Sequence, residues 1–430
     1  MSTQPGVPPS DHFRYENGEL VCDGVPLSRI AAEVDTPTYV YSGAAVDEAF
    51  RRIDGALAFA PHMIAYAVKA NGNLALLSRL AKAGCGADIV SGGELARAIK
   101  AGFPRERIVY SGVGKRREEI ARAIELGIRS IHVESVAELD TVEGIARALA
   151  KRARISLRVN PDVDPKTHPY IATGLTGSKF GIRTEVAESL LPRLVENPFL
   201  ELEGVACHIG SQLGSPDPLR DAIEILGRFA KHCIDEGAEL KAIDVGGGWS
   251  LSYGHEKLPY PPPEAYGAAI REGLEASGAL SLGLDVITEP GRFLVGDAGV
   301  LLTRVLYVKD QGSKRFVIVD GAMTELLRPS LYQAYHAIVP VAQPTGDRLA
   351  TVDVVGPVCE SGDFLARDRE LPPLREGDLV AVRGAGAYGR EMAMTYNARP
   401  RAAEVLVDGG SHRVVRTRGD FESLWAGESL

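Results

Sequence analysis

The sequence predicts an α/β protein that consists of a (β/α)8 TIM barrel and a C-terminal antiparallel β domain, which includes the N-terminal strands. Two observations predict this fold class. From about residue 60 to residue 290, short apolar runs alternate with amphipathic stretches, which indicates βα units and a parallel sheet. After residue 290 the runs are β-branched and broken by Gly, Pro and Asp, which is typical of an antiparallel sheet.

The predicted barrel strands are short apolar runs. They are HMIAYAVK (62–69), GADIV (86–90), RIVYSG (107–112), SIHVES (130–135), RISLRVN (154–160), LEGVACHIG (202–210), KAIDVGGG (241–248) and LDVITEP (284–290). Among the helices between them, 217–237 has apolar residues at helical spacing and ends at Gly237. Eight such units over roughly 230 residues match the size of a TIM barrel. A doubly wound open sheet stays an alternative, because strand order cannot be read from one sequence.

The predicted strands of the β domain come from both ends of the chain. The C-terminal runs are RVLYVKD, KRFVIVDG, TVDVVGPVCE, DLVAVRGAG and EVLVDGG. The opening segment HFRYENGELVCDGVPL is also strand-like, and its Asn-Gly pair predicts a hairpin. We therefore expect a short disordered N-terminal tail and strands within 1–36, a cofactor-binding barrel at 37–292, and the remaining β domain at 293–430.

Composition limits the classes of function. The net charge of −9 argues against a nucleic acid or an acidic membrane surface as the main partner. No apolar run has the eighteen or so residues of a membrane span, and the N-terminus lacks the layout of a signal peptide. The five cysteines are scattered without CxxC spacing, which argues against a disulfide framework or a zinc site. We expect a cytoplasmic protein without a metal.

Polar residues stand at the carboxyl ends of the predicted barrel strands, where TIM barrels place their active sites. They are Lys69, Asp88 with 91–94, Arg158 with Asn160, His208 with 210–212, Gly246 to Gly248, and Glu289 to Arg292. Each has a structural explanation when taken alone. Lys69 could extend its ammonium group into solvent, His208 could be a core histidine, and the glycines could form a tight turn. Their common position at so many strand ends favours a single ligand.

The chemistry of this set matches one ligand. Glycines after the seventh and eighth barrel strands commonly bind phosphate, because their backbone N–H groups can approach the anion. The amine of a lysine can form a Schiff base with an aldehyde. An acidic side chain can keep a pyridine nitrogen protonated. Phosphate, aldehyde and pyridine together describe pyridoxal 5′-phosphate (PLP), whose ring accepts electrons in carbanion chemistry.

Several motifs resemble those of a known enzyme family. YAVKAN, CHIGSQ, DVGGGW, TEPGR, LRPSLYQAYH, GPVCESGD and GAYG are similar, in order, to motifs of the alanine-racemase-like PLP enzymes, and within them to those of the diaminopimelate decarboxylase family. GVGK (112–115), RVNPDVDPKTH (158–168) and MTYNARP (394–400) fit as well. The resemblance extends over essentially the whole chain after residue 12.

The resemblance implies roles for individual residues. Lys69 would bind the cofactor covalently, His208 would stack on its ring, and Glu289 would pair with its pyridinium nitrogen. The phosphate would be held by a group made of Ser211, Gly246, Gly247, Gly248 and Gly291. Asp88, Arg292 and Tyr388 complete the implied cofactor-binding set.

A second set of implied residues concerns the substrate. Arg292, Arg328 and Tyr332 resemble carboxylate binders, and a guanidinium suits this role because it can hold a carboxylate through two hydrogen bonds. Cys359 resembles the proton donor, and Glu360 would bind the distal amino group. Tyr388 would lie near the substrate as well. In the family Cys359 and Glu360 enter the site from the partner subunit, which implies a homodimer with two shared sites.

The implied reaction is PLP-dependent decarboxylation of meso-2,6-diaminopimelate to L-lysine and carbon dioxide, the last step of lysine biosynthesis. Ornithine, arginine, lysine and carboxynorspermidine decarboxylases share the fold and stay open as alternatives. In the first three an Asp typically follows the cysteine, whereas here Glu360 does. An alanine racemase would place Arg against the pyridine nitrogen instead of Glu289. A PLP-binding regulatory protein would lack both the β domain and Cys359.

Overall fold

The computed structural model describes residues 10–164, 177–256 and 259–430. The greater part of the predicted disordered tail (1–9) and the end of the RVNPDVDPKTH motif (165–168) lie outside the described residues. The chain forms two compact units. The barrel unit comprises the described residues of Ala49–Ser250 and Tyr260–Phe293, and the β unit comprises those of Met1–Glu48, Leu251–Pro259 and Leu294–Leu430.

The strands and helices are as follows. The strands are β1 (Phe13–Glu16), β2 (Glu19–Cys22), β3 (Val25–Pro26), β4 (Thr38–Ser42), β5 (His62–Ala67), β6 (Gly86–Ile89), β7 (Ile108–Tyr110), β8 (Ser130–Val133), β9 (Ala153–Asn160), β10 (Ile182–Arg183), β11 (Leu200–Ala206), β12 (Ala242–Asp244), β13 (Asp285–Thr288), β14 (Gly299–Asp310), β15 (Arg315–Val319), β16 (Ile338–Pro340), β17 (Ala350–Val355), β18 (Phe364–Leu371), β19 (Leu379–Val382), β20 (Ala403–Asp408) and β21 (Ser411–Arg416). The helices are α1 (Leu27–Val34), α2 (Gly43–Ala56), α3 (Leu74–Lys82), α4 (Gly92–Ala101), α5 (Arg117–Leu126), α6 (Val136–Ala148), α7 (Thr184–Glu196), α8 (Asp217–Asp235), α9 (Pro263–Ser277), α10 (Arg292–Val295) and α11 (Arg328–Tyr332).

Eight parallel strands close the barrel. Their order is β5, β6, β7, β8, β9, β11, β12 and β13, and β13 pairs with β5 to complete the ring. This closure confirms the predicted TIM barrel and excludes the open doubly wound sheet. The short β10 adds a parallel pairing to the outer part of β9. Each of the eight predicted strands is present.

Helix α8 shows how the sequence pattern forms the outer layer of the barrel. Its buried residues Leu219, Ile223 and Leu226 recur at the spacing that the sequence predicts, and the helix packs against α9. Its last residue is Asp235, and Gly237 follows with a positive φ of 95°. Among the described residues, no helix has both the length and the apolar composition that a membrane crossing requires.

The β unit contains a large sheet in the order β18, β17, β15, β14, β4, β20, β21, and β19 also pairs with β14. The sheet is mostly antiparallel, but β15 pairs in parallel with β17, and β4 pairs in parallel with β20. Strand β4 joins this sheet although it lies within 37–292, the range predicted for the barrel, whereas β1, β2 and β3 form a separate three-stranded sheet in the same unit. The predicted hairpin β1–β2 turns at Asn17 and Gly18, which both have positive φ.

Candidate active site

Lys69 lies at the exit of β5, in a single 3-10 turn (Val68–Ala70), and faces the neighbouring strand β6. Its Nζ donates a hydrogen bond of 2.9 Å to Oδ2 of Asp88. The Asp88 side chain is fully buried, whereas that of Lys69 is 37% exposed. The ammonium group is therefore held at the barrel end by a buried carboxylate, and it stays accessible to a ligand.

His208 and the glycine turn after β12 contact each other directly. The backbone N–H of Gly247 donates to Nδ1 of His208 at 3.0 Å, so this nitrogen carries no proton and the neutral ring carries its proton on Nε2. Burial, together with the positive charges of Arg158 and Lys69, holds the pKa of His208 well below its usual value. The ring is therefore neutral and has a defined orientation.

This turn requires glycines because of its backbone conformation and because other atoms lie close to its Cα atoms. Gly246 and Gly248 have φ of 70° and 103°, which side chains rarely adopt. A Cβ on Gly247 would lie 2.5 Å from the carbonyl oxygen of Glu289 and 3.3 Å from Cε1 of His208. The turn thus packs backbone directly against the imidazole and against the exit of β13, and a side chain at Gly247 would collide with these atoms.

Glu289 lies at the end of β13 among buried polar groups from other barrel strands. Its Oε1 accepts a hydrogen bond of 3.1 Å from Oγ of Ser111, and Nδ1 of His132 lies 3.6 Å away. On the far side of this imidazole, Nε2 lies 3.8 Å from Oδ2 of Asp244. We call Ser111, His132, Asp244 and Glu289 the barrel cluster.

The barrel cluster has unusual ionisation because it combines burial with acidic neighbours. Burial, with Asp244 and Asp88 nearby, raises the pKa of Glu289 well above its usual value. Burial and Asp88 also raise the pKa of Asp244 to about 7. Burial and the nearby cations lower the pKa of His132 to about 3, so this ring is neutral. The cluster can therefore hold or release a proton near neutral pH.

Ser211 and the Gly291–Arg292 pair link the exits of β11 and β13. Nη2 of Arg292 donates to Oγ of Ser211 at 3.2 Å. Gly291 is buried immediately before α10. The barrel unit thus links the predicted residues in three contacting groups: Lys69 with Asp88, His208 with the glycine turn and Glu289, and Ser211 with Arg292.

The other predicted site residues lie in the β unit. Arg328 is buried and begins the short helix α11, and Tyr332 ends it. Cys359 and Glu360 are both exposed in the loop after β17. The backbone N–H of Cys359 donates to Oδ1 of Asn397 at 3.0 Å, which ties this loop to the TYN segment. Tyr388 has a φ of 56° and is partly buried.

Several polar residues of these two regions were not predicted from the sequence. In the barrel they are Ser111, His132 and Asp244. A signal was available for the last two, because each is the one ionisable residue in a short apolar strand. In the β unit the missed residues are Tyr253 and His336, which both contact Arg328. His336 is the last residue of the LRPSLYQAYH motif, which was a signal, whereas the sequence position of Tyr253 gives none.

Comparison with known proteins agrees with this geometry. Residues 44–296 match the family model of the pyridoxal-dependent decarboxylase, pyridoxal binding domain. The chain is also 49% identical to a diaminopimelate decarboxylase of Pseudomonas aeruginosa, over 98% of this chain and 99% of that protein. The chain belongs to the diaminopimelate decarboxylase family.

Solved structures of family members have the same fold. A diaminopimelate decarboxylase from Helicobacter pylori, complexed with L-lysine, is 43% identical with a TM-score of 0.88, and the match covers 93% of this chain and 98% of that one. A diaminopimelate decarboxylase from M. jannaschii, in co-complex with L-lysine, is 34% identical with a TM-score of 0.93, over 99% of each chain. The family resemblance therefore extends to both units.

The cofactor of this family is pyridoxal phosphate, and the residues of the barrel unit fit it. The glycine turn lies at the barrel end and is tightly packed, and the backbone N–H groups of Gly246 and Gly247 donate to Asp244 and His208. Lys69 presents an accessible amine, and Glu289 presents a buried carboxyl group. Oδ1 of Asp88 is buried and has no hydrogen-bond partner among the described residues. The amine and the carboxyl group match the aldehyde and the pyridine nitrogen of the cofactor.

Proposed function

We propose that this protein is a PLP-dependent carboxy-lyase that converts meso-2,6-diaminopimelate to L-lysine and carbon dioxide, the last step of lysine biosynthesis. The observation that carries the proposal is the 49% identity to a diaminopimelate decarboxylase over nearly the full length of both chains. The geometry supports it, because the barrel end combines a lysine amine, a glycine turn and a buried glutamate.

The barrel residues would hold the cofactor. Lys69 would bind it covalently, and Asp88 would orient the Lys69 amine through the 2.9 Å hydrogen bond. His208 would stack on its ring, since Gly247 fixes the orientation of the imidazole. The phosphate would be held by Ser211, Gly246, Gly247, Gly248 and Gly291, with Arg292 and Tyr388 beside it. When bound, the cofactor supplies an electron-accepting ring for the pair of electrons that decarboxylation leaves behind.

Glu289 would keep the ring nitrogen protonated. Its Oε1 already accepts a hydrogen bond from Ser111, which keeps the carboxyl group oriented within the barrel. A carboxylate opposite a pyridinium is a charge-assisted pair, and burial strengthens this pair. We infer that the barrel cluster sets how strongly the cofactor withdraws electrons.

The β-unit residues would bind the substrate and complete the proton transfer. The α-carboxylate leaves as carbon dioxide when its bond to Cα breaks, and Cys359 Sγ then delivers one proton to Cα. Arg328 and Tyr332 would bind carboxylates, as would Arg292 of the barrel unit, and Glu360 would bind the distal ammonium. The exposed position of Cys359 and Glu360 is consistent with contact to a substrate.

The substrate is tested by measuring carbon dioxide release from meso-diaminopimelate, L-ornithine, L-arginine and L-lysine with the purified holoenzyme. The proposal predicts release from meso-diaminopimelate and at least about a hundredfold lower kcat/KM with the other three, because these lack a second carboxylate for a guanidinium. A preference for ornithine, arginine or lysine would overturn the proposed substrate and leave a decarboxylase of a basic amino acid.

We also propose a homodimer in which Cys359 and Glu360 of one chain complete the Lys69 site of the other. The test mixes Lys69→Ala protein with Cys359→Ala protein after dissociation and reassociation. Hybrid dimers would then contain one site with both native residues, so the mixture should regain about a quarter of wild-type activity. A mixture as inactive as its two components would contradict sharing of the site.

A cytoplasmic location agrees with the proposed role of Cys359. This role requires a reduced thiol, which a reducing compartment maintains. All five cysteines are free in the structure. A measurement of activity in soluble and membrane fractions, with and without an external reductant, tests the proposed location.

A further inference from the structure

We propose that His336 is a positioning residue that holds the Arg328 guanidinium for the distal carboxylate of the substrate, and thereby sets the preference for substrates that carry this carboxylate. The inference rests on the proposed function and names the residue behind its specificity. It concerns a cluster within the β unit, which we call the Arg328 cluster and which consists of Tyr253, Arg328, His336 and Arg383.

The hydrogen bonds of His336 fix its tautomer. Nη1 of Arg328 lies 2.8 Å from Nε2 of His336. Because a guanidinium can only donate, Nε2 must be the acceptor and carries no proton. On the other side of the ring, Nδ1 lies 2.8 Å from the carbonyl oxygen of Arg383, so Nδ1 carries the proton and donates it. Both ring nitrogens are satisfied only in this neutral form.

A neutral acceptor has a consequence for the charge of Arg328. A carboxylate in the place of His336 would orient the guanidinium equally well, but it would also cancel most of the positive charge. An unprotonated imidazole nitrogen accepts the hydrogen bond and leaves that charge for another anion. His336 therefore suits a guanidinium whose task is to attract a substrate carboxylate.

Tyr253 also restricts the orientation of the Arg328 guanidinium. Its hydroxyl oxygen accepts a hydrogen bond of 3.1 Å from the same Nη1, and its ring centroid lies 5.0 Å from Cζ of Arg328. The Tyr253 ring also meets the His336 ring edge-on, at 5.2 Å between centroids. Two neutral side chains thus hold one edge of the guanidinium, which leaves the planar group directed rather than free to rotate.

The backbone around His336 is anchored as well. Nη1 of Arg369 donates to the carbonyl oxygen of His336 at 2.8 Å, and the backbone N–H of Arg383 donates to the carbonyl oxygen of Ala337 at 2.8 Å. The His336 side chain is fully buried. Because the ring cannot turn without losing its hydrogen bonds to Arg328 and to the carbonyl oxygen of Arg383, a change at His336 should act on Arg328 rather than be absorbed locally.

A pair of ligands isolates the effect on the distal carboxylate. The product L-lysine keeps the carboxylate that Arg328 is proposed to bind, whereas cadaverine has the same carbon chain and both amines but no carboxylate. Loss of the positioning of Arg328 should therefore weaken the binding of L-lysine and leave the binding of cadaverine unchanged. A general loss of structure would weaken both ligands together.

The experiment measures the dissociation constants of L-lysine and cadaverine by calorimetry with the wild-type holoenzyme and three variants. His336→Leu removes the acceptor. His336→Gln can place its carbonyl oxygen near the former Nε2, whereas His336→Asn is too short to do so. We expect about tenfold to a hundredfold weaker L-lysine binding in the Leu and Asn variants, near wild-type binding in the Gln variant, and cadaverine binding within about twofold throughout.

The kinetic readout is the KM for meso-diaminopimelate, which should rise with the Kd of L-lysine, while kcat changes less. His412→Leu is a matched control, because it removes a histidine of the same unit that pairs with Glu33. It should leave the two Kd values unchanged. If His336→Leu does not fold, the difference between the Gln and Asn variants decides the question.

Equal losses for L-lysine and cadaverine, or no loss for either, would overturn the inference. Equal L-lysine binding in the Gln and Asn variants would do so too. A wild-type enzyme that releases no carbon dioxide from meso-diaminopimelate would remove the proposed function and this inference with it, and that failure is seen before any variant is tested.

Discussion

The barrel unit and the β unit present their functional residues in different ways. In the barrel, Asp88 and Glu289 are buried and bonded to other polar side chains. In the β unit, Cys359 and Glu360 stand exposed on a loop, and Arg328 is held in a helix of five residues. The difference teaches that the proposed cofactor contacts Asp88 and Glu289 are part of the core, whereas the proposed substrate contacts range from the buried Arg328 to the exposed Cys359 and Glu360.

The largest expected effect is that of Lys69→Ala. This substitution removes the amine that would bind the cofactor, so turnover should fall at least about a thousandfold. It also leaves the buried Asp88 without its ion-pair partner, which should lower the stability of the barrel. Carbon dioxide release and urea unfolding measure the two effects. Lys82→Ala, an exposed lysine at the end of α3, is the control and should change neither.

Two buried glutamates with raised pKa, one in each unit, allow a matched comparison of the units. Burial raises the pKa of Glu289 well above its usual value and that of Glu325, in the β unit, to about 7. Glu289→Gln should lower kcat about a hundredfold, because a neutral amide lacks the negative charge that stabilises a protonated ring nitrogen. Glu325→Gln should keep kcat within about threefold. Similar kcat values for both variants would contradict a special role of Glu289.

For a pair of cysteines, substitution of the β-unit residue rather than of the barrel residue should lower kcat. Cys359→Ala should lower kcat about a hundredfold, because the proton donor is lost, and should change the free energy of unfolding by less than about 0.5 kcal/mol, since the side chain is exposed. Cys233→Ala should keep kcat and cost about 1 kcal/mol of stability, because it leaves a small cavity in the core. Steady-state kinetics and urea unfolding of both variants measure this contrast.

The smallest expected effect is a change in the pH dependence of stability. Asp244 has a folded-state pKa of about 7, raised by burial above its ordinary value of 3.8. Between these values the folded state keeps a proton that the unfolded state releases, so wild-type stability falls as the pH rises through this window. Asp244→Asn lacks this loss, and its stability relative to wild type should rise by about 2 kcal/mol from pH 5 to pH 8.

This difference is measured by urea unfolding of the cofactor-free proteins at several pH values. Asp235→Asn, at the end of α8, controls for the loss of one negative charge. A difference between Asp244→Asn and wild type that stays constant from pH 5 to pH 8 would show that Asp244 is ionised throughout, contrary to the burial argument.

The barrel could be predicted from the sequence because its elements are local. Each strand is an apolar run and each helix repeats its apolar residues, so all eight strands were found. The carboxyl ends of the strands were predicted less accurately. The segment 241–248 was predicted as a strand, but β12 ends at Asp244. The glycines that follow are buried, which gave them the appearance of a strand, but Gly246 and Gly248 have positive φ and turn the chain out of the ladder.

The contacts between distant segments could not be predicted from one sequence. His132 and Asp244 lie on strands far apart along the chain, and a strand pattern alone does not tell which residues meet inside the barrel. Tyr253 and Arg328 are separated by 75 positions and meet only in the folded β unit. The parallel pairing of β4 with β20 was missed for the same reason, because it joins the two ends of the chain.

The most direct test of the cofactor assignment is to locate the covalent attachment in the wild-type holoenzyme. Borohydride reduction makes the bond between the cofactor and its lysine permanent, and mass spectrometry of the digested protein then identifies the modified peptide. We predict a single modified residue, Lys69, in the peptide that follows β5, and no modification without the cofactor. Attachment at another lysine, such as the buried Lys115, would contradict the assignment of the active site to the end of β5.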